Sequence, residues 1–274
     1  MRGNTVAAGA DGSQAHPWNS LTAVVGAQSV PGYTRPLLSS IPYAHVVNGK
    51  FVNAADQIGN PPVQPGDTIY LMSGNYGDVA IGTYNIQTPN SDFVTVEAAP
   101  IAGQVPVLST LYIRSTNKWV FNAIKVQSLY GANGNKQALV TVTDQGASLP
   151  TTDIILENMQ ISSADSTTGW SKAQWVAQGR TGFLEWGSPG NGTNGEPNTT
   201  CISMTGSHIQ NVRTGVVLAG DNSLFTNNVI DHFGDDGIDY AANNLAVTHN
   251  TIRDNLDIGD GNHEDAMQGQ NGPL

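Results

Sequence analysis

The sequence predicts an all-β chain built as a solenoid of stacked coils, closed at its N-terminal end by a cap. Three observations predict this fold class: a repeat of about 21 residues in the last third of the chain, short apolar runs inside each repeat, and many turn-forming residues. A repeat of this size cannot bury its apolar face alone, so each coil must stack on the next.

The repeat is clearest at three polar residues, Ser207, Asn228 and Asn250, which stand 21 and 22 residues apart at the same point of successive segments. A similar pattern upstream places Asn122 and Asn158 at the same point of their own segments. A side-chain amide repeated at one turn can satisfy backbone groups of neighbouring coils. We therefore expect Asn122, Asn158, Asn228 and Asn250 to line one internal turn and to form hydrogen bonds between coils.

The composition suits an all-β protein with polar outer faces and excludes several classes of partner. Charged residues make up 12% of the 274 residues, and glycine occurs 31 times. The net charge of −11, with only 11 lysines and arginines, excludes a surface that follows nucleic-acid phosphates. No apolar run reaches the roughly 18–20 residues needed to cross a bilayer, and the first ten residues do not resemble a signal peptide. The single cysteine, Cys201, excludes an internal disulfide, and we predict a buried thiol in a strand.

The chain divides into a lead-in and a run of coils. Residues 1–60 are rich in glycine, alanine, serine and proline and lack the repeat, which predicts a cap over the first coil. Within this cap, residues 21–25 fit either a short strand or the start of a helix. Residues 61–274 are predicted to form the parallel coils. Because no closing element follows Met267, we expect the native chain to continue past Leu274, or another subunit to cover the open end.

Two long polar stretches, residues 163–178 and 187–198, interrupt the coils and predict loops, which often carry binding sites on a rigid scaffold. Trp170 and Trp175 lie in the first stretch. An exposed indole stacks well on a sugar ring, whereas a buried indole would anchor the loop. The sequence leaves both roles open for these two tryptophans.

A Pro-Gly-Asp turn feeds an apolar strand in residues 65–77, PGDTIYLMSGNYG, and a second turn follows at once. This segment resembles the first coil of the pectin-lyase-like superfamily of right-handed, single-stranded parallel β-helices. Residues 11–21, DGSQAHPWNSL, are similar to the lead-in of many polysaccharide-acting members. The resemblance implies a right-handed parallel β-helix, a polysaccharide partner and a secreted or extracellular protein, although this sequence shows no signal peptide.

Polar residues fall into columns when the second apolar runs of the repeats are aligned. One column contains Thr181, Thr214, Asp236 and Asp265. The column at the preceding position contains Arg180, Arg213, Asp235 and Glu264. Two or three residues further along, Asp239 stands opposite Gln268. Neighbouring strands lie about 4.8 Å apart, so equivalent residues of adjacent coils are close. Carboxylates at this spacing repel one another unless a cation binds between them or some stay protonated. The columns therefore predict a functional site in the last two coils.

Two families of the superfamily carry similar acidic patterns. Calcium-dependent pectate lyases have two aspartates four residues apart on one strand, which Asp235 and Asp239 resemble. That resemblance implies a Ca²⁺ site, to which Glu264 of the next coil would add a carboxylate. Polygalacturonase-like hydrolases carry paired aspartates after a glycine, which Asp235 and Asp236 after Gly234 resemble.

These observations predict an enzyme that degrades an acidic, uronate-containing polysaccharide by β-elimination. In such a reaction a cation neutralises the sugar carboxylate, a base removes the C5 proton and an acid protonates the leaving oxygen. We predict that the base is His263 or Arg213 and that Asp236 and Asp265 complete the catalytic group. The predicted substrate-binding residues are Gln268, Tyr240, Trp170, Trp175 and Arg180, and the predicted calcium ligands are Asp235, Asp239 and Glu264.

Two alternatives remain open. An inverting glycoside hydrolase would use Asp236 with Asp265 or Asp235 as acid and base, with carboxyl groups about 6.5–9.5 Å apart. A non-catalytic glycan-binding solenoid, such as a spike or an adhesin shaft, would keep the coils and the tryptophan loops without needing clustered acids.

Overall fold

The computed structural model describes residues 10–25, 45–47, 50–52, 63–82, 90–129, 138–144, 150–187, 199–261 and 264–269. In these residues, 21 strands form three parallel sheets of seven strands each. Successive strands along the chain enter the three sheets in turn, so each coil contributes one strand to each sheet. The protein is therefore a right-handed parallel β-helix of seven coils, as the sequence predicts.

The strands are numbered along the chain and grouped here by sheet. Sheet 1 contains β3 (Thr68–Leu71), β6 (Val94–Ala98), β9 (Asn117–Asn122), β12 (Thr151–Glu157), β15 (Thr199–Thr205), β18 (Leu224–Thr226) and β21 (Ala246–Thr248). Sheet 2 contains β4 (Gly74–Asn75), β7 (Pro106–Leu108), β10 (Lys125–Gln127), β13 (Gln160–Ser162), β16 (His208–Val212), β19 (Val229–Phe233) and β22 (Thr251–Asn255). Sheet 3 contains β5 (Asp78–Ile81), β8 (Thr110–Arg114), β11 (Val140–Thr143), β14 (Phe183–Trp186), β17 (Val216–Leu218), β20 (Ile238–Tyr240) and β23 (Met267–Gly269).

Among the described residues, the elements outside the coils are two short helices and one antiparallel strand pair. Strands β1 (His45–Val47) and β2 (Lys50–Val52) pair antiparallel. Helix α1 (Leu21–Val25) packs against the first coil, where its Leu21 side chain joins the core. Of the two possibilities for residues 21–25, the structure has the helix. Helix α2 (Lys172–Gln178) lies in the long segment before β14, and neither helix is long enough to cross a bilayer.

The core runs as columns of apolar side chains through the centre of the stack. One column joins Val96, Phe121, Leu156, Met204 and Phe225 on successive strands of sheet 1, and all five side chains are buried. Burial of apolar surface contributes roughly 25 cal/mol for each Å² removed from water, so these columns supply the main stabilisation of the coils. The last coil is less covered, and Met267 is 45% exposed.

The turn between sheet 1 and sheet 2 carries the predicted ladder, but with a different membership. Asn228 and Asn250 occupy equivalent inner positions, where the Asn228 Oδ1 accepts from the Ser207 N–H at 2.9 Å and the Asn250 Oδ1 accepts from the Asn228 N–H at 2.9 Å. The Asn228 amide also donates to the Met204 carbonyl at 3.0 Å. The ladder therefore joins the fifth, sixth and seventh coils.

The prediction that Asn122 and Asn158 belong to this ladder is wrong. Asn158 stands one residue earlier in the turn, at a left-handed φ of 53°, and Asn122 ends β9 one position before that. The inner position is apolar in these two coils because Ile124 and Met159 fill it. Asn158 still donates to the Asn122 side chain at 2.9 Å, but on the outer side of the turn.

Candidate functional site

The strand pairing of sheet 3 confirms the register of the acidic columns. The Gly215 N–H donates to the Asp236 carbonyl at 2.8 Å, and the Gly237 N–H donates to the Asp265 carbonyl at 2.9 Å. Asp239 pairs with Gln268 on the next strand. Ile238 points into the core, so the side chain of Asp239 beside it faces outward, as alternation along a strand requires. The sixth and seventh coils therefore present carboxyl groups on adjacent strands.

Two of these acids are tied to the corner between sheets 2 and 3. Asp236 is only 7% exposed, and its Oδ1 accepts from the Asp265 backbone N–H at 2.9 Å. The Asp235 carboxylate lies 3.9 Å from the Arg213 guanidinium, which also contacts Asp260 at 3.1 Å. Arg213, predicted as one of two candidate bases, therefore contacts two carboxylates as their charge partner.

Glu264 has a shielded carboxylate oxygen near the end of the described coils. Its Oε1 is shielded from solvent, and no donor reaches it from the part of the chain that the structure describes. A shielded carboxylate oxygen without a donor is costly unless it is protonated or binds a cation. Asp239 and Gln268 offer further oxygen atoms on the paired strands β20 and β23. Hard oxygen donors of this kind suit Ca²⁺.

The other predicted site residues differ in burial, and one of them lies outside the described residues. His263 lies outside the described residues, and its assignment as the base stays a prediction. Tyr240 is half-buried and packs on the core. Arg180 is 1% exposed and donates to the Ala138 carbonyl at 3.2 Å, so the prediction that it binds substrate is wrong. This arginine stands where the chain turns back under the long segment, which is why it is covered.

Cys201 also differs from its prediction, because its side chain is exposed although it lies in β15. Its φ is 58°, and Lys118, Asp153, Asn222 and Asn244 at the equivalent point of other coils have φ values of 53–57°. A left-handed residue interrupts the alternation of a strand and turns its side chain outward. Simple alternation in the sequence cannot reveal such a column.

On the sheet 2 side of the same corner, residues 163–178 fold over the coils and enclose a cleft of about 580 Å³. Asn211 holds this segment by donating to the Ala164 and Asp165 carbonyls at 3.3 Å and by accepting from Thr167 at 2.9 Å. We call this space the sheet 2 cleft. Its lining consists of Asp165, Ser166, Thr167, Thr168, Gly169, Trp170, Lys172, Trp175, Gln210, Asn211, His232, Leu256, Asp257 and Ile258.

The two tryptophans that are predicted to bind substrate differ in burial. Trp175 is 3% exposed and meets Trp170 edge to face, with ring centroids 5.2 Å apart. Trp175 is thus the loop anchor, and its assignment to substrate binding stays a prediction. Trp170 is only partly buried and lines the cleft. A capping box between Ser171 and Gln174 fixes the start of α2 directly after it.

Sequence reasoning missed Asp231, a buried carboxylate beside the cleft. Asp231 is 3% exposed. Its Oδ2 lies 2.9 Å from the His208 Nε2 and 3.3 Å from the Arg253 guanidinium. Its Oδ1 lies 3.0 Å from the His232 Nδ1. Burial raises the pKa of Asp231, but hydrogen bonds from His232 and His208, together with His208 charge and Arg253, outweigh it and lower the pKa. The opposite charges of Asp231 and Arg253 on paired strands were the available signal.

Asp231, His232 and Asp254 form the one group of potential metal ligands that meets within 4.8 Å among the described residues. Arg253 contacts the Asp231 carboxylate at 3.3 Å and the Asp254 carboxylate at 3.5 Å. The guanidinium therefore already takes the position of a cation between the two acids. The predicted trio of Asp235, Asp239 and Glu264 is not such a group, and its role as a calcium site stays a prediction.

Comparisons with known proteins leave the family open. No protein-family model matches the chain, and no curated protein matches it. Among solved structures, the chain is similar to the crystal structure of pectate lyase Pel9A, with 11% sequence identity and a TM-score of 0.31 over 92% of this chain and 79% of that chain. A likeness at this level carries no conclusion about activity.

Proposed function

We propose that the protein is an extracellular carbohydrate-active enzyme that cleaves an acidic, uronate-containing polysaccharide by β-elimination at the outer face of sheet 3. The observation that carries the proposal is the shielded Oε1 of Glu264, which has no donor among the described residues and lies in the same coil as Gln268, the partner of Asp239 on the paired strand. A polyanion approaches a protein of net charge −11 poorly unless a cation lies between them. An acidic face that held a cation would therefore fit a polyuronate better than a neutral chain.

Each acid of the two columns, and each residue of the pair Asp239 and Gln268, has one role in the proposed reaction. Asp239 and Glu264, with Asp235 at the corner, would hold Ca²⁺, which when bound neutralises the sugar carboxylate and acidifies the C5 proton. His263 removes that proton, and Asp265 protonates the leaving oxygen. Asp236 positions Asp265 through the backbone hydrogen bond at 2.9 Å. Gln268 binds a sugar hydroxyl on the strand next to Asp239.

Product analysis on a panel of polyuronates, with calcium and with chelator, tests the proposal. β-Elimination yields an unsaturated product that absorbs ultraviolet light, and we expect it with calcium only. Asp239→Asn and Glu264→Gln should each reduce it by at least tenfold, whereas Glu157→Gln, at a half-exposed acid on sheet 1, should not. New reducing ends without ultraviolet absorbance would instead identify the hydrolase, and no cleavage of any member would contradict both enzymatic functions.

A further inference from the structure

We propose that the sheet 2 cleft is a second carbohydrate site, which binds a short uncharged saccharide between Trp170 and an oriented His232. This site goes beyond the cleavage proposed above, because it lies on the other side of the corner and uses none of the acidic columns. Its volume of about 580 Å³ falls within the range of about 300–1,000 Å³ typical of small-molecule sites.

The chemical character of the lining favours a sugar. An indole, hydroxyl groups and amides face one space, contributed by Trp170, by Ser166 and Thr168 of the covering segment, and by Gln210 of β16. The apolar face of a sugar ring packs on an indole, while its hydroxyl groups exchange hydrogen bonds with amides and hydroxyls. Trp170 is held for this contact by the ring of Trp175 at 5.2 Å.

The charged residues of the cleft already have partners within the protein, which favours an uncharged ligand. Lys172 donates to the Gly259 carbonyl, Asp257 accepts from the Gly259 N–H at 2.7 Å, and Asp165 forms an ion pair with Lys125 at 2.8 Å. The opposite charges of Lys172 and Asp257 offset each other in the lining, as do those of Asp165 and Lys125, so the cleft offers no net positive charge to an acidic sugar. A neutral saccharide needs none.

His232 supplies a directed hydrogen-bonding group. Its φ of 50° turns the side chain out of β19 and into the lining of the cleft. The buried Asp231 carboxylate accepts from Nδ1 at 3.0 Å, which fixes the ring and leaves Nε2 as the nitrogen that can meet a ligand. Within the described residues, no protein group takes a hydrogen bond with Nε2. Nε2 is therefore an oriented hydrogen-bonding atom for a sugar hydroxyl, which can both donate and accept.

Calorimetric titration of the whole chain with maltotriose, cellotriose, xylotriose, galactotriose and trigalacturonate tests the proposal. We expect saturable binding of at least one neutral trisaccharide. Trp170→Ala should weaken it by about tenfold, equivalent to about 1.4 kcal/mol, since it removes the indole face on which the sugar ring packs. His232→Gln should weaken it roughly two- to tenfold, as expected for one hydrogen bond.

The matched control is His249→Gln, at an exposed histidine that also has a left-handed φ, 56°, but lies outside the cleft. It should bind as the wild type does. If Trp170→Ala melts early, Trp170→Tyr replaces it and should bind with intermediate affinity. Binding of trigalacturonate alone, no binding of any neutral probe, or undiminished binding in the Trp170 variants would each overturn the proposal. Because the cleavage assay uses other residues and other sugars, failure here leaves the outcome at sheet 3 unchanged.

Discussion

At the scale of single residues, the most unusual group is a carboxyl inside the coils. Glu185 of β14 is fully buried; its Oε1 accepts from the Ser223 hydroxyl at 2.5 Å, and its Oε2 has no donor among the described residues. A Cβ at Gly220 would come within 2.1 Å of the Oε1, so only glycine leaves room for the carboxyl. Burial raises the pKa of Glu185 to about 8, although hydrogen bonds from Ser223 and Gly220 oppose it. The group is therefore protonated at neutral pH.

The raised pKa of Glu185 predicts a loss of stability toward alkaline pH. The folded protein holds this proton more tightly than the unfolded chain, so its contribution is complete below the unfolded value of 4.5 and is lost as pH rises through about 8. Glu185→Gln should remove this slope, which is worth about 1.4 kcal/mol for each pKa unit, and should melt later than the wild type at pH 9. Circular dichroism melting between pH 5 and pH 9 measures it. The same change at the half-exposed Glu157 should leave the slope intact; identical slopes in all three proteins would contradict the assignment.

Asn228 offers a second prediction at this scale. Its side chain accepts from the Ser207 N–H and donates to the Met204 carbonyl, and both bonds are buried. Asn228→Ala would leave these groups without partners, so we expect a loss of roughly 1–3 kcal/mol in the free energy of unfolding, measured in urea. The neighbouring Asn227 has an exposed side chain and a φ of 56°. Asn227→Gly, which suits that φ, should be neutral or slightly stabilising, and an equal loss in both variants would argue against the ladder.

At the scale of elements, the covering segment depends on one capped helix. The Ser171 hydroxyl accepts from the Gln174 N–H, and the Gln174 side chain accepts from the Ser171 N–H at 2.9 Å. Ser171→Ala should destabilise α2 by about 1 kcal/mol and speed hydrogen exchange over residues 172–178. Because the coils do not depend on this helix, exchange in β16 and β19 should stay slow. Faster exchange throughout the coils would show that the segment and the coils unfold together.

At the scale of the whole molecule, a bound cation should stabilise the stack. A ligand that binds only the folded state adds about 2.7 kcal/mol at a hundredfold excess over its Kd. We therefore expect calorimetry to give a higher melting temperature in calcium than after exhaustive chelation, with the difference lost in Asp239→Asn. Magnesium should be a weaker substitute, since it demands a stricter geometry. Equal melting temperatures in calcium and in chelator would remove calcium from the proposed chemistry.

The architecture and the acidic columns could be predicted because strands 21 or 22 residues apart repeat the same apolar spacing, and pairing follows that spacing. The exclusion of Asn122 from the ladder could not be predicted, because Ile124 fills the inner position and only packing shows which residue faces inward. The burial of Arg180 and Trp175 depends on how residues 163–178 fold back, which no periodicity encodes. The Asp231 and His232 pair depends on a left-handed residue inside a strand, which alternation hides.

Each strand of the coils pairs only with strands of the neighbouring coils, and this has a mechanical consequence. Once the hydrogen bond between Lys172 and the Gly259 carbonyl has broken, a chain pulled from its last coil should lose its contacts one coil at a time. Counted between equivalent residues of the inner turn, the repeats from Ser207 to Asn228 and from Asn228 to Asn250 are 21 and 22 residues long. The repeat that carries residues 163–178, from Met159 to Ser207, is 48 residues long. At about 3.5 Å per residue, the first releases should lengthen the tether by roughly 75 Å each, and the longer coil by about twice that. An optical trap would therefore record the spacing of the coils as a series of unequal steps, with the segment that covers the cleft appearing as the longest.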